Sequence, residues 1–375
     1  MLNDHCQICE FRDCCRGKAL ANDDLSLLRS LTAPEIQKYK NRGVFAVNQL
    51  AYAFRPRRQR LGITRHDPTL KALAVRDRKV YFYGEASLPA DCGTRVYLDV
   101  EGDLRTQRAY LIGMLVSKDG VDHWHSLWAD RSSEEPAILG KMLQVLAEYQ
   151  NPTIYHYGQF DVACLKRMAA ITKTDHLIRH LIERAVNVLV IVHKHLYFPT
   201  YSNGLKDIGS YLGCSWTDVD AAGVQAVVWR TKWQQTGDQA FRNRLVQYNH
   251  EDCLALKCVT EFIYRNATAD SVDIPPADAL HKEVDVARAD GFVPVAAKSI
   301  WNQRSTSFPD FESLNRCAYL DYQRQHVIVR TNKTLKRIRR MKTRRRPASL
   351  RPNKCVAFIV RQCPYCSGKK LKAST

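Results

Sequence analysis

Two carboxylates spaced two residues apart, Asp99 and Glu101, stand in the run Val96-Tyr97-Leu98-Asp99-Val100-Glu101-Gly102. Read as a strand, this run alternates: Val96, Leu98 and Val100 share one face, and Tyr97, Asp99 and Glu101 share the other. Two anions on one face repel unless cations or protons intervene; the bland alternative is an exposed edge face. A second piece, residues 153–161, is an apolar strand, a turn at Gly158 and then Asp161 where the next helix begins. Such an Asp either caps the helix or is delivered to the C-terminal end of the strand, where α/β folds place ligands. The third piece is Tyr248-Asn249-His250-Glu251-Asp252. On a helix, Tyr248 and Asp252 share a face, and His250 and Glu251 point off it as solvent-facing or structural residues. Asp103 lies two residues past Glu101 and competes for the same role. A set of oxygen donors without His or Cys suits a hard cation, Mg²⁺ or Mn²⁺. Two such ions can activate water, neutralise a phosphate and stabilise a leaving oxygen.

The elements that must hold these residues follow from periodicity. Strands are expected over 95–100, 110–117, 123–129 and 153–157, with helices over 134–149, from 160, and over 175–196, 204–212 and 239–265. Three strands followed by alternating helix and strand is the order of an α/β domain with a mixed sheet flanked by helices. Ahead of it, residues 1–54 read as a Cys-rich start and a helical hairpin. That hairpin has a helix at 25–31, a second opened by Thr32-Ala33-Pro34-Glu35, and a turn at Gly43 before Gln49-Leu50-Ala51-Tyr52. It is either a helix-hairpin-helix-like module offering backbone N–H groups to phosphates or a plain helical linker. Residues 55–92 read as an irregular polar connector with a short strand at 80–83, 93–268 as the main domain, 269–321 as a low-signal linker and 322–375 as a tail.

In order, spacing and carrying element, the three pieces resemble the DEDDy exonuclease group of the RNase H-like superfamily, specifically its YprB-like branch. That branch is found in RecB-like nuclease family proteins; the RecB-like domain itself has no counterpart in this sequence. Asp99 and Glu101 match the first motif, Asp161 the second and Tyr248-x-x-x-Asp252 the third. Leu111-Ile112-Gly113 and the segment 202–208 also resemble this branch, and the likeness covers about residues 93–265. It implies a 3′→5′ exonuclease acting on a single-stranded end of DNA or RNA. It also implies two Mg²⁺ or Mn²⁺ ions, with Asp99 bridging both, Glu101 and Asp252 completing their shells, Asp161 holding one ion on the opposite side and Tyr248 orienting the attacking water. Where the second motif often has Asn, this chain has Gly158 and Gln159.

The chain carries 57 Lys and Arg against 38 Asp and Glu, a formal +19, which points to a polyanionic partner. Seventeen of the basic residues follow Tyr322 in a stretch without Asp or Glu, so the upstream part is nearly neutral. The run Lys336, Arg337, Arg339, Arg340, Lys342, Arg344, Arg345 and Arg346 is either a contact for nucleic-acid backbone or a solvated tail. No leader pattern opens the sequence and its longest apolar stretch, 185–192, is too short to span a bilayer, so a cytoplasmic protein without a membrane partner is expected. Thirteen Cys in that setting read as metal ligands or buried thiols. Cys6, Cys9, Cys14 and Cys15 resemble part of the iron–sulfur clasp of RecB-like nucleases and could instead take Zn²⁺. Cys363 and Cys366 form the knuckle half of a zinc ribbon. Two rival readings stand beside the nuclease: a nucleic-acid-binding protein with a degenerate nuclease fold, and a remnant of a mobile-element or CRISPR-linked fusion.

Overall fold

The computed structural model describes residues 2–3, 6, 9, 11–54, 66–89, 93–103, 106, 108–172, 175–218, 223–267 and 284–289. The N-terminal part holds α1 (Arg12–Ala21), α2 (Ala33–Lys40), α3 (Val47–Ala51) and α4 (Pro68–Asp77), then β1 (Val80–Phe82). Next come β2 (Thr94–Asp103), β3 (Arg108–Lys118), β4 (Val121–Trp128), α5 (Glu135–Ala147), β5 (Thr153–His156), α6 (Phe160–Thr172) and α7 (Asp175–Glu183). The remaining elements are β6 (Val186–Asn187), α8 (Val188–His195), β7 (Leu196–Tyr197), α9 (Leu205–Leu212), α10 (Gly223–Thr236), α11 (Gln239–Ala267) and β8 (Val286–Arg288).

The main sheet runs β4-β3-β2-β5-β6, antiparallel across β4, β3 and β2 and parallel from β2 through β5 to β6. This is the mixed sheet flanked by helices that the sequence pattern implies. Parity along β2 builds both of its faces. Val96, Leu98 and Val100 pack with Ile112, Met114 and Val116 against Ile138 and Met142 of α5 and Cys164 and Leu165 of α6. Tyr97 faces the other way, with Leu115 and Tyr155, against Leu256, Val259 and Phe262 of α11 and Ile208 and Leu212 of α9. β3 is buried from Ala109 to Val116 because both of its faces are covered. A further cluster of Tyr110, Leu111, Trp216, Trp229, Leu245 and Tyr248 brings α10 against β3 and α11.

Ahead of the sheet, Leu25, Leu28, Leu50, Leu70 and Leu73 form a separate core with Tyr81 and Tyr197. At the start of α2 the Glu35 carboxylate accepts from Thr32 N at 3.0 Å and from the Thr32 hydroxyl at 2.8 Å, and Gly43 supplies φ +80° in the turn before α3, as that hairpin requires. The expected helix over 25–31 is only a 3-10 turn, Leu25–Leu27, since all of its leucines face one small core. The segment read as an irregular connector contains α4, started by Asp67, whose carboxylate accepts from Thr69 N at 2.9 Å. It also contains β1, which lies between β7 and β8 in a second sheet. The single helix expected over 175–196 is instead α7, β6 and α8. Val186 and Asn187 leave helical geometry to extend the main sheet beside Tyr155 and His156, a choice that a short apolar run does not reveal. The sequence reading did not anticipate α10 because its apolar residues do not follow a helical period: Val227 and Val228 are exposed, whereas Ala226 and Trp229 are buried. Among the described residues no helix is long and apolar enough to cross a membrane.

Gly113, opposite Asp99 across the β2–β3 ladder, lies against Asn249 of α11. A methyl there would overlap the Asn249 amide and lie 2.5 Å from the Trp124 ring. Gly113→Ala is expected to destabilise the protein by about 1–3 kcal/mol in urea unfolding. Gly17→Ala, in α1 with open space around it, is expected to be neutral or slightly stabilising.

Candidate active site

β2 carries Asp99 and Glu101 on the face toward α11, and α11 brings Asp252 to meet them. One oxygen from each carboxylate lies within 4.8 Å of the other two. Glu101 sits at a β-bulge: it pairs with Leu111 while Gly102 pairs with Ala109, so Tyr110 is the extra residue on β3. Bulges re-aim side chains and end regular pairing, and this one turns the strand just where its second carboxylate is presented. Tyr248, one helical turn before Asp252, is buried, with the Asp252 carboxylate close enough to raise its pKa. Asp161 begins α6 and is also buried, but its oxygens are not among the three that converge. Its Oδ1 accepts from Val100 N at 2.9 Å, taking over the β2 backbone beyond the point where β5 ends its pairing. Oδ2 lies 3.8 Å from His156 Nδ1. Asp103 is exposed, and its carboxylate accepts from Thr106 N at 3.4 Å.

Residues that sequence reasoning passed over hold this cluster in place. Asn249 is fully buried, and its Nδ2 donates to Asp99 Oδ2 at 2.5 Å and to the Asp99 carbonyl at 3.1 Å. The room for that amide is the missing Cβ of Gly113. Trp216, on the segment after α9, donates Nε1–H to Asp252 Oδ1 at 2.8 Å. Glu251 faces inward rather than to solvent: its Oε1 accepts from Thr217 N at 3.0 Å and from Gln247 Nε2 at 2.9 Å, tying down the segment that carries Trp216. His250 packs on Trp124 with ring centroids 4.4 Å apart. In the second motif Gly158 has φ +108°, and an asparagine from elsewhere clamps it: Asn187 Nδ2 donates to the Gly158 carbonyl at 2.6 Å, and Gly158 N donates to Asn187 Oδ1 at 3.2 Å.

The comparison with protein families agrees with this geometry. Residues 96–264 match the model of a family described as the RNase_H superfamily, a span that contains all three motifs. The mixed sheet flanked by helices over that segment is that of an RNase H-like fold. No curated protein and no solved structure matches the chain. The superfamily is one of nuclease-like folds, and its carboxylate cluster could bind a divalent metal.

Within the RNase H-like domain, burial dominates the electrostatics. Asp99 is pushed up to about 6, by burial, against the opposing hydrogen bond from Asn249. Glu101 is driven well above the usual carboxylate range by burial and then by Asp99, Asp252 and Asp161. Asp252 is raised by burial and by Asp99, with Trp216, Lys206 and Tyr248 pulling it back. Asp161 is raised by burial and by Asp99, against the backbone hydrogen bond from Val100. Tyr248 is raised above an ordinary phenol by burial and by the carboxylates around it, so it stays a protonated donor at neutral pH. The donors fit a hard divalent cation: they are carboxylate oxygens, they converge, and no cationic side chain among the described residues forms an ion pair with Asp99, Glu101 or Asp252.

The N-terminal cysteines are not brought together. Among the described residues the carboxylate trio is the one group with metal-ligand geometry, and Cys6, Cys9, Cys14 and Cys15 form none. Cys14 and Cys15 are consecutive on α1 and therefore diverge by about 100°, while Cys6 Sγ pairs with Asn3 at 3.4 Å. Cys363, Cys366 and the basic run 336–346 lie outside the described residues.

The sign of the Asp99 shift gives a pH test. Its pKa rises from 3.8 to about 6, so the folded state holds the proton more tightly than the unfolded chain. The stability it contributes is complete below pH 3.8 and is lost as the pH rises through about 6. In EDTA at alkaline pH, Asp99→Asn is expected to melt higher than the native chain, by on the order of a few degrees, with the gap closing in thermal scans toward acid pH.

Proposed function

We propose that this protein is a metal-dependent nuclease that shortens nucleic acid from the 3′ end, with Asp99, Glu101, Asp161 and Asp252 as its metal-holding carboxylates and Tyr248 as a positioning hydroxyl. The observation that carries the reading is the meeting of Asp99 and Glu101 on one strand with Asp252 on α11, within 4.8 Å, in a domain matching the RNase_H superfamily. When bound there, Mg²⁺ or Mn²⁺ supplies the Lewis acidity that makes water a competent nucleophile and offsets charge on the phosphate.

The chain's own residues do the rest. Asn249 fixes the rotamer of Asp99, and Trp216 fixes that of Asp252. Tyr248, too weak an acid to serve as the base, presents an O–H beside Asp252 that orients water or the terminal phosphate. Attack by water oxygen on phosphorus breaks the bond to the 3′ oxygen of the preceding nucleotide. The leaving 3′ oxygen takes up one proton of the attacking water, by way of solvent, and becomes a 3′ hydroxyl, while the released nucleotide keeps the water oxygen in its 5′ phosphate and gives the other proton to solvent. Single-stranded DNA and RNA ends are the substrate class, in keeping with the basic run at 336–346.

The test uses 3′- and 5′-labelled single-stranded DNA and RNA, incubated with the purified full chain in Mn²⁺ or in EDTA. Stepwise loss from the 3′ end in Mn²⁺ alone is expected. Asp99→Ala and Asp252→Ala should reduce it to background with folding intact, and Tyr248→Phe should lower it by about 10²-fold. Full activity in Asp99→Ala would overturn the assignment, and salt-sensitive retention without cleavage would favour a binding protein. Trp216→Phe, which removes the indole N–H and little volume, is expected to lower the rate by about tenfold at unchanged substrate affinity.

A further inference from the structure

Beside the carboxylates, α10 and the β3–β4 edge hold hydrogen-bond donors that find no acceptor among the described residues. Arg230 is 7% exposed, with its guanidinium 4.7 Å from the Tyr110 ring, 4.8 Å from Trp128 and 4.5 Å from Trp233. Its Nη2 donates to the Asp130 carbonyl at 2.7 Å, but Nη1 is buried without a partner, as are the Tyr110 hydroxyl and the Trp233 indole N–H. Among the described residues no carboxylate forms an ion pair with Arg230 or Arg242. Arg242, half-buried, stacks on the same Trp128 at 5.0 Å. Buried donors and unpaired guanidinium charge are costly unless an acceptor meets them, and three orphaned groups in one aromatic cluster mark a place built for one.

The position of the cluster indicates which acceptor. Tyr110 is the bulge residue opposite Glu101, and the neighbouring residue on α10, Trp229, packs its ring 6.2 Å from Tyr248. Trp229 and Arg230 thus flank the two phenols nearest the carboxylates. We propose that Arg230 and Arg242, with the Tyr110 hydroxyl and the Trp233 N–H, bind a backbone phosphate of the nucleic acid adjoining the scissile one. Planar guanidinium groups match phosphate oxygens bidentately, and a site made of donors and aromatic rings suits a single strand, whose bases can stack nearby. This subsite rests on the nuclease reading for its orientation toward the scissile end.

Binding, read separately from cleavage, tests it. Fluorescent single-stranded oligonucleotides, each with one neutral methylphosphonate at a successive linkage from the 3′ end, are titrated by anisotropy against the full-length Asp99→Asn chain. One linkage near the 3′ end is expected to lose affinity by about tenfold when neutralised. Arg242→Ala and the charge-keeping Arg230→Lys, added to that background and checked by thermal melting, should weaken the all-phosphate strand to a similar extent. Neutralising that linkage should then cause no further loss. Equal loss at every linkage, or unchanged affinity in both variants, would overturn the subsite and leave the orphaned donors to buried water. A chain that binds with this pattern but never cuts fails the nuclease reading and passes this test; a chain that binds no oligonucleotide fails both.

Discussion

Three half-buried carboxylates drawn together are the constraint on which the fold around them depends. Asp99, Glu101 and Asp252 converge from a central strand and the 29-residue α11, and the fold fixes two of the three, Asp99 and Asp252, from outside the trio. Asn249 grips Asp99 from both its side chain and its carbonyl, and Trp216 grips Asp252. Glu251 secures the segment on which Trp216 rides. Even the absent side chain of Gly113 belongs to this arrangement, since it admits the Asn249 amide. Burial first, and for Glu101 and Asp252 the neighbouring carboxylates next, raises the trio above the ordinary carboxylate range.

The architecture that makes this possible divides labour by parity. Even-numbered residues 96, 98 and 100 of β2 anchor the sheet to α5 and α6, leaving the odd-numbered ones free for chemistry on the α11 side. The bulge after Glu101 then shifts the register, with pairing resuming at Gly102 and Asp103, and leaves Tyr110 out of the ladder. Asp161 joins from the next strand–turn–helix unit. In the structure it serves β2 first, by accepting from Val100 N, so its carboxylate is both a piece of sheet edging and a neighbour of the trio.

Much of the site was legible because its residues obey local periods. Asp99 and Glu101 show the two-residue repeat of a strand, Tyr248 and Asp252 the four-residue repeat of a helix, and Asp161 the point where an apolar strand gives way to a helix through Gly158. The supports were not legible because they act across the chain: Asn249 meets Asp99 over 150 positions and Trp216 meets Asp252 over 36. Glu251 lies off the face of Tyr248 and Asp252, as helical phase gives, and is structural, but its partner at Thr217 comes from tertiary packing, which phase does not reveal. The main sheet followed from its run of strands. Of the second sheet only the strand at 80–82 was legible; its partners, 196–197 and 286–288, are too short to show a period. The cysteine spacing suggested a ligand set, but Cys14 and Cys15 fall on successive positions of a helix, where they cannot face one ion.

Titration calorimetry of Mn²⁺ into the full chain at neutral pH, repeated in buffers of different ionisation enthalpy, tests the central claim most directly. The account requires saturable binding that releases protons, because the raised carboxylates must give them up to hold the cation, and it requires that binding be lost in Asp252→Asn. Absence of Mn²⁺ binding, or equal binding in native and variant chains, would contradict it.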